Sequence, residues 1–304
     1  MIAAVFIVAQ LSLVAASRPP ECGVDGTMRG TNIWERAKHP ELRHYCDLLA
    51  TGTSKLTSQA TASDALREAD EADQAMPGHA APLTLKGRAL AKAGRYTEAY
   101  AAFTEAKKRE THALDDSAAL REFARACARS GHAPEALAAF RSLLPRADGL
   151  NSFDRAPTYV EAAFQAMSAG TANVDDAIAM LRQARREAGD ALQPVATLAL
   201  ALALDRSGAR DEAKAVLDDR AKAKARDIAR DPTMTPLLGP LASEAEAMAA
   251  VGLEASDPAA SQAAWQRYIA AAGQTGAWVD HAKGHLAVTR TAHPVTGGGA
   301  RHVP

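Results

Sequence analysis

Two histidines, His281 and His285, stand four residues apart in the stretch HAKGH. On a helix that spacing puts both imidazoles on one face, a common beginning for a zinc site. Zinc proteases with such a pair carry glutamate directly after the first histidine, as the base that activates water. Here that place is Ala282, no third ligand is evident, and Gly284 weakens the helix. The pair therefore reads as surface histidines capping a helix. His39, His44 and Cys46 form a second loose cluster, but Cys46 has a better use in a disulfide. No metal and no cofactor is expected.

Other chemistry is equally sparse. The chain has no Gly-x-Ser-x-Gly elbow, no phosphate-cradling glycine loop and no cysteine–histidine pair with supporting context. The basic stretch RAKAKARDIAR (Arg220 to Arg230) is isolated and has no aromatic partners for bases, so it reads as a solvated helix end and not as a nucleic-acid surface. A formal net charge of -1 gives no global pull toward nucleic acid or anionic membrane. These observations point away from an enzyme and toward a chain whose residues are spent on architecture.

The 304 residues are 47% hydrophobic and only 5% aromatic, with alanine dominant. Such a composition disfavours disorder and β-rich folds and favours closely packed helices. The apolar run from Ile2 to Ala16, followed by RPP, suits the core of a secretory signal and is short for a membrane span, although no Lys or Arg precedes it. An exported protein, periplasmic or at the cell surface, is the expectation, with no integral membrane span in the mature chain. Cys22 lacks the small apolar triplet of a lipid-attachment site. In an oxidising compartment Cys22 and Cys46 can pair, which would stabilise the fold by about 3 kcal/mol; the alternative is two unpaired thiols. Cys127 reads as a small core residue.

A repeat organises the rest. Gly94, Gly131 and Gly208 are each followed five residues later by alanine: Ala99, Ala136 and Ala213. Four further on come Phe103, Phe140 and Leu217, and three beyond those Ala106, Leu143 and Arg220. Offsets of 0, 4 and 7 share one helical stripe. Ala177, Leu181 and Ala184 repeat it, as do Ala65, Ala69 and Ala72, and Ala264, Tyr268 and Ala271. Another helical segment precedes each turn glycine, so the unit is helix, tight turn, helix. LALALAL (Leu198 to Leu204) alternates like a strand, but its leucine and alanine content and its place before Gly208 predict a helix. Small residues at Gly87, Ala99 and Ala106 let the two helices approach, while Leu83, Leu90 and Phe103 fill the remaining space.

Ala65 and Ala99 are 34 residues apart. That period, with Gly87, Gly94, Tyr96, Ala99, Phe103, Ala106 and the unit-closing Pro77, resembles the tetratricopeptide repeat family. The likeness is good over 80–112, fair over 117–148 and 194–221, and weaker over 46–77 and 156–187. It departs from the family pattern at Leu83 and Leu120, where tryptophan is usual, and at Arg220, a normally small position. The resemblance implies an all-α, right-handed superhelical solenoid of about five helix pairs closed by a capping helix. The expected organisation is a signal peptide over 1–17 and a disulfide-tied helical segment over 18–58. The repeat array follows over 59–230, then a further pair and cap over 231–291 and a flexible tail over 292–304, with the proline-interrupted stretch 230–240 as a break.

In that family the first helix of each pair lines a concave groove. Arg88 and Arg125 occupy one such place in successive units, Lys92 and Arg129 another, and Arg121 adds a third. Stacking would gather these cations into a groove suited to a protein or peptide, especially an acidic segment or a terminal carboxylate. Ordinary solvated charge, neutralised by Glu105, Glu122 or neighbours, is the competing account. A non-catalytic scaffold or assembly factor of the bacterial cell envelope is the expected function. An envelope enzyme or accessory subunit with a scattered active site, and a self-associating structural array, are the alternatives.

Overall fold

The turn glycines show how one helix hands over to the next. Gly94, Gly131 and Gly208 have φ of 78°, 87° and 88°, a region in which a Cβ costs energy. The residue after each glycine donates its amide to the carbonyl five positions back: Arg95 to Leu90, His132 to Cys127, Ala209 to Leu204, each at 2.9 Å. This Schellman closure satisfies the last carbonyls of one helix and redirects the chain into the following one.

A computed structural model describes residues 20–22, 40–273 and 276–292. Among them it contains fifteen α-helices and no strand. They are α1 (Pro40–Ser54), α2 (Ala62–Ala75), α3 (Ala80–Lys92), α4 (Tyr96–Arg109), α5 (Ser117–Arg129), α6 (Ala133–Leu143), α7 (Ser152–Ser168) and α8 (Val174–Glu187). Next come α9 (Gln193–Arg206), α10 (Arg210–Val216), α11 (Asp219–Ala225), α12 (Met234–Leu238), α13 (Glu244–Leu253), α14 (Pro258–Ala272) and α15 (Val279–Ala292). The expected signal over 1–17 lies outside the described residues, as do His39 and all but the first residue of the expected tail. The chain divides into two compact units, Met1–Phe123 and Ala124–Pro304.

In the first unit α1 packs on α2, α2 on α3 and α3 on α4. Tyr45, Leu48, Leu49, Leu56 and Leu85 gather over the alanines Ala65, Ala69 and Ala72. Leu85 and Leu90 are the buried leucines of α3, whereas Leu83 is only half-buried. The stripe on α4 is wholly buried, with Ala99, Phe103 and Ala106 all at 0% exposure. A Cβ added at Gly87 would lie 2.8 Å from the Phe103 ring, so glycine is what lets α3 and α4 meet there. A disulfide joins Cys22 to Cys46. Beside it the Tyr45 hydroxyl donates to Glu21 at 2.6 Å, and the two contacts hold the short 3-10 turn Pro20–Cys22 against α1.

The second unit repeats the scheme. Along its chain α6 packs on α7, α7 on α8, α8 on α9 and α9 on α10, while α13 packs on α9 and α14, and α14 on α15. LALALAL is helical, and every residue of α9 from Val195 to Arg206 is buried. The stripes Ala136, Phe140, Leu143 and Ala177, Leu181, Ala184 point inward. Two stripes are shorter than expected. The Asp218 side chain accepts from the Ala221 amide at 2.8 Å and caps a new helix, so the α10 helix stops at Val216. Leu217 is then extended, and Arg220 is exposed on α11. In the last turn of α14, Ala271 is exposed although Ala264 and Tyr268 are buried. The proline-interrupted stretch forms α12, whose Met234 and Leu238 are buried in a helix that packs on α7.

Gly87→Ala is expected to cost about 1–3 kcal/mol by overpacking the Phe103 ring. Gly94→Ala should cost about 1–2 kcal/mol through its backbone instead. In urea denaturation, adding Phe103→Leu should recover part of the first loss and none of the second.

Candidate functional site

Because α9 is apolar all round, it carries into the second unit whatever side chains end it. Those are Asp205 and Arg206, with side chains 3% and 0% exposed. A charge placed there needs partners, and each has its own set.

Arg206 pairs with Glu244 at the start of α13, Nη2 to Oε2 at 2.7 Å. It also donates to the Tyr268 hydroxyl of α14 at 3.3 Å, and its guanidinium lies 4.9 Å from the Trp278 ring centre. Tyr268 donates in turn to Glu244 at 3.4 Å. Burial and the Glu244 carboxylate push the Tyr268 phenol up to about 12.

Asp205 meets both histidines of HAKGH. Its Oδ2 lies 2.6 Å from His281 Nε2 and 2.9 Å from His285 Nε2, and the two ring nitrogens are 3.3 Å apart. The α15 helix begins at Val279, so residues one turn apart share a face, and buried Trp278 and Ala282 turn that face inward. His285 is 4% exposed, not at the surface, and His281 is half-buried. Trp265 stacks on His285 with ring centres 4.8 Å apart. On the far side of that ring, Nδ1 lies 3.5 Å from Glu254 Oε1. Burial raises the Asp205 carboxyl, but the hydrogen bonds with His281 and His285 outweigh it and hold it well below the usual carboxylate range. Desolvation pulls His285 down, yet Asp205 and Glu254 together raise it to about 9. The hydrogen bond with His285 likewise lowers Glu254. Two imidazoles and one carboxylate oxygen thus converge on a single point. The carboxylate that completes this cluster comes from 76 residues upstream, beyond the reach of local spacing.

The expected groove cations have assorted surroundings. In the first unit Arg88 Nε pairs with Glu122 at 3.1 Å, Arg121 is buried, and Lys92 is exposed. In the second, Arg125 Nε lies 3.3 Å from Glu161, and the guanidiniums of Arg125 and Arg129 both donate to the carbonyl of Pro236 in α12. The crevice at that contact is lined by Arg125, Arg129, Phe140, Phe164 and Leu237. Neutralisation by glutamate, the competing account, holds for Arg88 and Arg125. Just ahead of α12, Asp231 pairs with Lys224 at 2.6 Å; hydrogen bonds from Lys224 and Thr233 hold its carboxyl at about 2.

Compared with known proteins, the chain matches no family model and no curated sequence.

Glu244→Ala should cost about 3–5 kcal/mol in thermal denaturation, because it leaves a buried guanidinium without its carboxylate. Arg206→Met combined with Glu244→Leu should cost less than Glu244→Ala alone. The Asp231 carboxyl is lowered on folding from an ordinary value of about 3.9. Its stabilisation is therefore complete above about pH 5 and is lost as pH falls through about 2. Acid titration of Asp231→Asn should show a shallower fall in stability across that window than the wild type.

Proposed function

We propose that the chain is a non-catalytic, tetratricopeptide-like scaffold that binds a protein or peptide segment in the bacterial cell envelope. The supporting observation is the grip of Arg125 and Arg129 on the Pro236 carbonyl, with Met234 and Leu238 buried beside it. It supports that reading because the same contact pairs guanidinium donors with a main-chain oxygen beside apolar side chains. The disulfide and the absence of any helix long and apolar enough to cross a membrane, among the described residues, are compatible with export.

The ion pairs refine the ligand. Guanidiniums paired with Glu122 and Glu161 have less net charge to offer an acidic partner. Selection of acidic segments then falls chiefly to exposed Lys92 and to the unneutralised share of Arg88. A preformed surface of this kind loses little ordering entropy when an extended segment lies down on it.

Crosslinking and mass spectrometry in the native host would identify the partner, and binding would then be measured with purified full-length chain. Lys92→Glu should weaken that affinity severalfold, and added salt should weaken wild-type binding. Arg125→Glu is the poorer probe, since it places a second carboxylate beside buried Glu161. Unaltered affinity in Lys92→Glu, at low and high salt alike, would remove the basic surface of the first unit from the account.

A further inference from the structure

We propose that Asp205, His281 and His285 form a binding site for one divalent transition-metal ion of the zinc class. The inference is independent of the partner-binding surface. It rests on three features of the second unit.

The first is convergence. Asp205 Oδ2 and the Nε2 atoms of His281 and His285 lie 2.6, 2.9 and 3.3 Å from one another and come from two different helices. A four-coordinate zinc ion with bonds of about 2.0–2.1 Å spaces its ligand atoms by about 3.3 Å. The histidine pair already has that separation, and the carboxylate needs to withdraw by about 0.7 Å to match it. These three residues also form the cluster of metal-ligating side chains found among the described residues.

The second feature is orientation. Metal-bound imidazoles usually give their other ring nitrogen to a carboxylate or a carbonyl, which fixes the tautomer and raises the basicity of the ligand. His285 turns Nδ1 toward Glu254 at 3.5 Å while Nε2 faces Asp205. Trp265 stacks on the same ring and restricts its tilt. Glu254 is a positioning residue that acts through His285.

The third is the protein environment. Asp205 and His285 are almost wholly buried, and the His281 side chain, at 19% exposure, marks the way in from solvent. Two imidazoles and a carboxylate select zinc, cobalt, iron or nickel over magnesium and calcium, which prefer all-oxygen sites. Three protein ligands leave a coordination position for water. An ion bound here would join α15 to α9 by bonds stronger than the hydrogen bonds it replaces.

The test uses the untagged full-length chain, stripped with chelator and titrated with cobalt(II) and then zinc(II). One equivalent of cobalt should bring up the visible absorption of a low-coordinate site, and zinc should abolish it. Bound zinc should also raise the melting temperature. His281→Ala and Asp205→Asn should lose the absorption and the thermal shift, with circular dichroism confirming that they remain helical. Glu254→Gln contributes no ligand atom; it should keep the stoichiometry and bind about 10–100-fold more weakly. His132→Ala should bind as the wild type does. Absence of saturable binding by the wild-type chain would overturn the proposal. So would binding that survives unchanged in folded His281→Ala. If the ligand variants fail to fold, Glu254→Gln decides: undiminished affinity there sinks the site, and a loss at constant stoichiometry sustains it.

Discussion

A helix whose inward face is mostly alanine has little apolar area to bury, so it gains stability only where its neighbour comes very close. Alanine side chains at Ala99, Ala106, Ala136, Ala177 and Ala184 are completely buried, yet each removes only a small surface from water. Compensation comes from density: backbones draw together, and dispersion contacts accumulate across the narrow gap. Gly87 is the extreme case, with a phenyl ring lying where a side chain would otherwise begin. The same logic recurs at Gly252 in α13, where a Cβ would lie 2.6 Å from Ala225 of α11 and from Leu198 of α9.

Thin walls of this kind leave room for polar groups that a thicker core would exclude. The α9 helix illustrates it. Ten successive apolar or small residues, Val195 to Leu204, pass through the second unit before Asp205 and Arg206 are reached. At that point the helix has neither solvent nor hydrocarbon for its charges, and the surrounding helices supply them. Glu244, Tyr268, His281 and His285 belong to α13, α14 and α15, all of which follow α9 in the chain. The final helices are therefore held to the rest by directional contacts as well as by area. Directional contacts specify a register, whereas alanine faces alone would tolerate sliding.

Much of the helical plan was legible in the residues, because glycine at a left-handed turn and alanine at 0, 4 and 7 are local signals with one physical cause each. The pairing of Cys22 with Cys46, one of two alternatives open in the sequence, is present. Local reasoning failed where a distant partner decided. His281 and His285 read as surface groups because nothing nearby in sequence explained their burial; the explanation was Asp205, near the end of an apolar run. A hint existed, since a buried helix that ends in Asp-Arg must find counter-charges somewhere. The α10 stripe broke because the Asp218 cap outcompeted continuation of the helix, a contest between neighbours that a periodic pattern does not weigh. The cations at repeated positions were placed on their helices as expected. Their glutamates, Glu122 and Glu161, stand close in space but belong to other repeat positions, so spacing alone overstated the positive potential.

The link from Cys22 to Cys46 closes a ring of main chain around residues 23 to 45. Scission of any single peptide bond inside that ring opens it without parting the molecule. The leading fragment stays tethered through sulfur, beside Tyr45, and departs only when a reductant arrives. Loss of this end of the chain therefore takes two chemically distinct events in series, a break in the main chain and reduction of the disulfide.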